Sequence, residues 1–411
     1  MARPERLSCV LCGRGFDPDD PVMTCPDCGP DGTLDVLYDY EAASRRLNRE
    51  TLAQDGRRDL WRYRAVLPVI REESIPGLAV GWTPLYRSTR LAEAWGVGEV
   101  FVKDDGRNPT GSLKDRASAV GVAKALDAGR KVVSCASTGN AASSLAGFAA
   151  VAGLRSVIFV PDTAPAAKVA QLLVYGAEVI LVKGGYEKAF DLATEAIGTW
   201  DWYNRNCAIN PYLVEGKKTC AMEIAEQMEW DLPDVVFVSV GDGCIVSGVY
   251  KGFLDLRRLG VTDRIPKIVG VQAEGASPIY EAFRQGRDRV DFAPAETVAD
   301  SISVRAPRNW AKALRAVKES SGEMITVTDE EILSAIPDLA RSTGVFGEPA
   351  GVAGFAGFRK MAGEGKVGPK DRVAIIVTGN GLKDIEGAKK SVEEPPVLDA
   401  DMEQLRKTLK L

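Results

Sequence analysis

Histidine is absent from all 411 residues, and that absence removes more chemistry than any other feature of the composition. Ser/His and Cys/His nucleophilic triads and histidine-ligated metal centres are excluded. Proton transfer must fall to lysine, a carboxylate, tyrosine, cysteine or a bound cofactor. Long apolar runs are missing too: none approaches membrane-spanning length, and Met1-Ala2-Arg3-Pro4-Glu5-Arg6 leads into no signal-type segment. Nor is there a basic excess. Lys and Arg number 52 against 57 Asp and Glu, and the cations are scattered rather than gathered in a stripe, which argues against nucleic acid. The expected setting is the cytoplasm, with no membrane or nucleic-acid partner and a small molecule as substrate.

The cysteines present are more telling. Cys9-Val-Leu-Cys12 and Cys25-Pro-Asp-Cys28 are two C-x2-C hooks, each followed by glycine, Gly13 and Gly29. Four thiolates so spaced suit tetrahedral zinc, and four protein ligands leave no open position, so a structural zinc site is expected at Cys9, Cys12, Cys25 and Cys28. Four free thiols or a redox pair are the alternatives. Cys135, Cys207, Cys220 and Cys244 show no pairing pattern and read as buried or loop thiols.

Beyond the hooks, residues 41–58 read as a polar, Arg-rich, helical connector. Apolar runs then predict strands at 99–103, 131–136, 156–160, 178–182, 235–240, 267–272 and 372–377. Their unbroken apolarity says that both faces are covered, as in a parallel sheet flanked by helices. The intervening stretches are long enough for crossover helices. The expected fold class is α/β: two doubly wound, mostly parallel α/β domains with a cleft between them, plus the N-terminal zinc-knuckle module. The module covers 1–40, a larger domain 41–130 with 212–390, a smaller one 131–211, and a helical tail 391–411.

Ligands of open α/β sheets sit beyond the carboxyl ends of strands, so the loops there carry the function. Asn108-Pro109-Thr110-Gly111-Ser112-Leu113-Lys114-Asp115-Arg116 joins a strand to a small-residue helix. Ser112 is placed to cap it and Lys114 lies in its first turn, where the macrodipole disfavours a cation. A lysine of lowered pKa can form a Schiff base with a carbonyl compound; taken alone, such a lysine is more often a solvated surface cation. Ser137-Thr138-Gly139-Asn140-Ala141 opens another helix and offers hydroxyls and amides to a carboxylate, or is a plain cap. Residues 240–248, Val-Gly-Asp-Gly-Cys-Ile-Val-Ser-Gly, suit close approach of amides to a phosphate but lack both common nucleotide-binding spacings, and Asp242 must turn away or receive donors. Thr378-Gly379-Asn380-Gly381 follows the last strand, with a hydroxyl placed to meet a ring nitrogen.

These four loops, in this order, together with Lys168-Val-Ala-Gln171, Tyr175-Gly-Ala177 and Glu215-Gly-Lys-Lys-Thr219, resemble the threonine-synthase-like enzymes of the tryptophan-synthase-β-like, fold type II, pyridoxal-phosphate family. The likeness runs from about residue 83 to 390. It implies pyridoxal 5'-phosphate in the cleft, held by the larger domain, with Lys114 as the catalytic residue bonded to its aldehyde. It places Asn140 at the 3'-oxygen, Gly241, Asp242, Gly243, Cys244 and Ile245 at the cofactor phosphate, and Thr378 at the pyridine nitrogen. Ser137, Thr138 and Gly139 fall at the substrate carboxylate, beside Ala141, where the family often has threonine. The implied reaction takes O-phosphohomoserine and water to threonine and phosphate. The Ser and Arg that the family uses for the substrate phosphate are not found at 206–214; Arg205 is the first candidate to replace them, with Lys217 or Lys218 nearby. Other readings are elimination or β-replacement on another amino acid, as in cysteate-synthase-like enzymes using O-phosphoserine or threonine-dehydratase-like enzymes, and a non-catalytic binding protein. The resemblance also implies a homodimer.

Overall fold

The apolar runs become strands of three separate sheets in the computed structural model, which describes residues 3–411; Met1 and Ala2, at the head of the polar N-terminal stretch, lie outside it. The cysteine hooks sit on an antiparallel ribbon of β1 (Arg6–Cys9), β2 (Gly15–Phe16) and β3 (Leu34–Leu37), in the order β2-β1-β3. The connector at 41–58 is not one helix but two, Tyr40–Ser44 and Arg49–Gln54. Asn48 divides them, because its side chain accepts the Thr51 N–H while Thr51 answers back, a capping box that starts a new helix.

The large sheet begins with β4 (Leu85–Arg87) and β5 (Glu99–Asp104). The chain then leaves to build a smaller sheet of β6 (Val132–Ala136), β7 (Arg155–Pro161), β8 (Glu178–Val182) and β9 (Tyr203–Asn204), ordered β8-β7-β6-β9 and parallel throughout. It returns for β10 (Val235–Ser239), β11 (Lys267–Ala273), β12 (Glu323–Val327) and β13 (Arg372–Val377). The large sheet runs β12-β11-β10-β13-β5-β4, with only β4 antiparallel. Every expected strand forms to within a residue at each end. Those not anticipated are the three of the N-terminal ribbon and, in the two larger sheets, ones that are short or at an edge: β4, β9 and β12, whose Glu-Met-Ile-Thr-Val lacks the continuous apolarity of a central strand.

Burial explains the continuous runs. Val236 and Val238 of β10 belong to one core cluster, while Val235 and Phe237, alternate residues of the same strand, belong to the other. Both faces of the sheet are therefore covered by helices. On one side three helices stack, Lys114–Asp127, Tyr212–Gln227 and Cys244–Arg258. Their crossings are backbone on backbone: a Cβ on Gly216 would lie 1.9 Å from the Arg116 carbonyl oxygen, and one on Gly252 2.2 Å from that of Lys218.

Candidate active site

Each letter of the lysine stretch has a structural use. Asn108 accepts the Gly81 N–H at 2.9 Å. Gly111 turns with φ +87°. Asp115 accepts the Thr110 N–H at 2.6 Å and its hydroxyl at 2.5 Å. Arg116 pairs with Asp105 at 2.7 Å and Glu223 at 2.5 Å, and Lys103 joins Glu223 at 2.7 Å, all four being charged groups with no exposed side-chain surface. Ser112 does not cap the helix. Leu113 occupies the cap position, and the Ser112 hydroxyl is buried without a partner among the described residues, because Ser112 is drawn into a bridge with Gly379 of the last loop. Leu113 N–H also donates to Thr378 O at 2.9 Å, so the lysine segment and the loop after β13 are sewn together.

Lys114 is the first residue of its helix. Among the described residues its ammonium has no hydrogen bond or ion pair, and it faces a cavity of about 720 Å³. Burial is the main reason its pKa lies below the ordinary lysine value. Cys207 and Cys244 pull the other way, while the charges of Lys217 and Arg205 lower it further.

Besides Lys114, the same cavity collects residues from the loops that follow four other strands. Ser137, Thr138, Gly139, Asn140 and Ala141 line it after β6, Arg205 after β9, Gly241 through Ile245 after β10, and Thr378 after β13. All the residues expected in the site except the four zinc-hook cysteines are thus in one wall. The Asn140–Val151 helix starts here, and Asn140 Nδ2 donates to Glu348 Oε1 at 2.7 Å. The helix that starts at Cys244 opens on the cavity too, and its free amides suit an anion. Asp242 is turned away from that role: its carboxylate accepts the Arg308 N–H at 2.7 Å, and burial pushes its pKa up to about 6. The Thr378 hydroxyl makes no hydrogen bond among the described residues, though the side chain is nearly enclosed.

Two cavity residues, Glu348 and Cys207, had no sequence signal of a role in the site. Glu348 is buried beside Asn140, and burial raises its carboxyl to about 7 despite that hydrogen bond and the charge of Lys114. Its only trace was Glu-Pro ahead of a helix, an acid at the cap with proline in the first turn. Cys207 sits between two cations, accepting from Arg205 Nη1 at 3.3 Å and Lys217 Nζ at 3.6 Å. Arg205 is 1% exposed and Lys217 0%. Arg205 otherwise donates only to Ser118 Oγ, at 3.0 and 3.1 Å, and neither cation has a carboxylate partner among the described residues. Lys218 is elsewhere, paired with Glu215 at 2.5 Å and Asp255 at 2.7 Å.

The four hook cysteines lie apart from this cavity, their sulfurs all within 4.8 Å of one another. Cys12 and Cys25 Sγ are 3.7 Å apart, against about 3.8 Å for two thiolates on one tetrahedral zinc. Glycines 13 and 29 turn at φ +74° and +64° after each hook. The ribbon is tied to the catalytic body: Lys312 Nζ donates to Leu34 O at 2.6 Å, Arg315 pairs with Asp35 at 2.6 Å, and Tyr38 donates to Glu215 at 2.7 Å.

Over residues 77–379 the chain matches the family described as pyridoxal-phosphate dependent enzyme. A protein of Methanocaldococcus jannaschii named threonine synthase is 42% identical over 404 residues, 98% of each chain. A threonine synthase of Methanosarcina acetivorans is 42% identical over 405 residues, again 98% of each. Among solved structures, the processed form of threonine deaminase isoform 2 from Solanum lycopersicum superposes with a TM-score of 0.65 at 23% identity, over 75% of this chain and 87% of that one; this is a likeness of fold.

Proposed function

The chain belongs to the pyridoxal-phosphate dependent enzyme family, and we propose on that footing that it is a threonine synthase, converting O-phosphohomoserine and water into threonine and phosphate. The cavity fits the cofactor. It offers a buried amine without a partner, helix amides from which the one nearby acid, Asp242, is turned aside, and an unbonded hydroxyl at Thr378. Lys114 would hold the cofactor aldehyde, Gly241 through Ile245 its phosphate, Asn140 its 3'-oxygen and Thr378 its ring nitrogen. When bound, the cofactor supplies an electron sink for the pair left by removal of the α-proton.

The chain's own residues supply the rest. Lys114 Nζ, whose pKa burial holds below the ordinary lysine value, takes and returns protons along the substrate carbon chain, the task a histidine performs in other enzymes. Ser137, Thr138 and Gly139 receive the substrate carboxylate, with the Ala141 methyl beside them. Arg205 and Lys217 take the substrate phosphate. That pair carries the reading: two fully buried cations with no carboxylate, in the same cavity as the reactive lysine, call for an anionic ligand, and a phosphate monoester provides it.

Phosphate release measured separately with O-phosphohomoserine and O-phosphoserine tests this. The expected result is release and threonine formation from the first only, with the cofactor absorbance band abolished in Lys114→Ala. Release from O-phosphoserine alone would move the protein to a β-replacement class. We also read the four thiolates as a structural zinc site, supported by their spacing, and the unpaired cysteines as fitting a reducing, cytoplasmic setting. Among the described residues no helix is long and apolar enough to cross a membrane. The larger unit, 41–130 with 212–390, would carry the cofactor against the smaller 131–211, with 1–40 as the ribbon and 391–411 as a tail. A homodimer is the expected assembly, checked by elution at twice the chain mass.

A further inference from the structure

The cysteine ribbon and the loop proposed for the cofactor phosphate, 241–245, share one helix. Trp310–Glu319 lies between them, and its residues divide by helical period into two faces. Asn309 and Ala313, four apart, face the loop. Asn309 Nδ2 donates to Gly243 O at 3.2 Å and to Ser247 Oγ at 2.8 Å, and its backbone N–H donates to Asp242 O at 3.1 Å. Gly243 turns with φ +87°, and a Cβ there would lie 2.9 Å from both Asn309 O and the Ala313 Cβ. No slack separates loop from helix, so a shift of one moves the other.

Trp310, Lys312 and Arg315 face the ribbon. Trp310 Nε1 donates to Asp31 at 3.3 Å, Lys312 reaches Leu34 O at 2.6 Å and Asp35 at 3.2 Å, and Arg315 pairs with Asp35 at 2.6 Å. Lys312 is 3% exposed and has no acceptor outside the ribbon among the described residues. Its charge is therefore compensated only while the ribbon is seated. The segment that receives these donors, 31–35, also braces both cysteine hooks: Leu34 pairs with Cys9 in the β1–β3 register, and Gly32 O accepts the Cys25 N–H at 2.8 Å. Along the helix each ribbon contact adjoins a loop contact, Trp310 beside Asn309 and Lys312 beside Ala313.

We propose that Asp31 and Asp35 of the ribbon are positioning residues for the cofactor: through the Trp310–Glu319 helix they hold loop 241–245 in the shape that takes a phosphate. Asp35 carries most of this, because it alone meets two cations of the helix. The ribbon is then a clamp on the phosphate end of the cofactor site. Lys114 and Thr378, which serve the other end, stand on different elements, at a helix start after β5 and in the loop after β13. Loosening the clamp therefore weakens the grip on the phosphate and spares the ring end. The inference rests on the assignment of 241–245 to the cofactor phosphate and is independent of which amino acid the enzyme converts.

The test titrates the full chain, freed of cofactor, with pyridoxal phosphate and separately with pyridoxal, which lacks the phosphate, following the cofactor absorbance band. In Asp35→Asn the dissociation constant for pyridoxal phosphate should rise about tenfold, while that for pyridoxal stays at the wild-type value. Arg315→Gln breaks the same pair from the body side at a partly exposed position, so it reports even where the ribbon variant folds poorly; it should weaken pyridoxal phosphate alone. The double variant should be no worse than Asp35→Asn, since both changes cut one tie. Equal losses for the two ligands would make the ribbon a general support of the fold, and unchanged constants in both single variants would disconnect it from the site; either result overturns the proposal. Wild-type chain that binds pyridoxal as tightly as pyridoxal phosphate would overturn the phosphate assignment itself and the clamp with it, a failure visible without any variant.

Discussion

The contact between the helix of Lys114 and the helix of Lys217 depends on one missing methyl. A Cβ on Gly216 would lie 1.9 Å from the Arg116 carbonyl oxygen and 2.5 Å from its carbon, where real contacts keep 3.0 Å or more. Both atoms are backbone, so no side-chain rotation relieves the clash. In Gly216→Ala the two helices must part by about 1 Å. Neither side yields easily: Arg116 is locked by Asp105 and Glu223, and Glu215, beside the glycine, is held by Tyr38 and Lys218. Overpacking of this kind costs about 3 kcal/mol. With about 0.9 kcal/mol/K of unfolding entropy for a chain this long, Tm should fall by about 3 °C. The catalytic loss should be larger. Lys114 is two residues from Arg116 and Lys217 is adjacent to Gly216, and displacement of a positioned group by about 1 Å costs on the order of 100-fold in rate. Calorimetry and steady-state turnover on the same preparation check both numbers. A variant with wild-type Tm and turnover would refute the claim that this crossing sets the site.

Lys217→Met should raise KM for O-phosphohomoserine about 30- to 1000-fold, the worth of about 2–4 kcal/mol from a buried charge pair, and leave the cofactor absorbance in place; loss of the cofactor instead would assign these cations to the cofactor's phosphate. Glu348, raised from 4.5 to about 7 by burial, keeps a proton when folded that the unfolded chain releases. The two states are equal below about pH 4, and folding then loses stability as pH climbs through that window, up to about 3 kcal/mol above it. In Glu348→Gln this share of the slope should be lost, leaving that of Asp242 and Asp104, as read from urea unfolding of wild type and variant at pH 5 and pH 8. Purified protein should contain one zinc per chain by elemental analysis, and chelation should expose the ribbon to proteolysis and lower Tm; a metal-free protein with an intact ribbon would remove zinc from the structure.

Much of the fold could be read before folding because the central strands of the two parallel sheets are buried on two faces, and such burial leaves continuous apolar runs such as Val235-Val-Phe-Val-Ser239. β12 was silent because Glu323 and Thr326 interrupt its apolar run, although Met324, Ile325 and Val327 are buried. The site was legible where one loop carries several functional atoms at once, as 108–116 and 137–141 do. It was illegible where a single polar residue arrives from elsewhere: Glu348 meets Asn140 across 208 positions, and no local pattern marks either for the other. Ser112 shows the opposite error, a residue with the right local signal whose tertiary bridge to Gly379 overrode it.

The amino-acid sequence alone narrowed the chemistry, since a chain without histidine leaves proton transfer to lysine, carboxylates, tyrosine, cysteine or a cofactor, and its motif order carried the family resemblance. It also marked the loops that meet around one cavity. Only the tertiary structure decided between Lys217 and Lys218. Neighbours on a helix point about 100° apart. One turn of direction gives Lys218 to Glu215 and Asp255 and leaves Lys217 facing the cavity with no carboxylate. Charge compensation exists only once distant elements have met, and the proposed phosphate site rests on two buried cations that no carboxylate meets among the described residues.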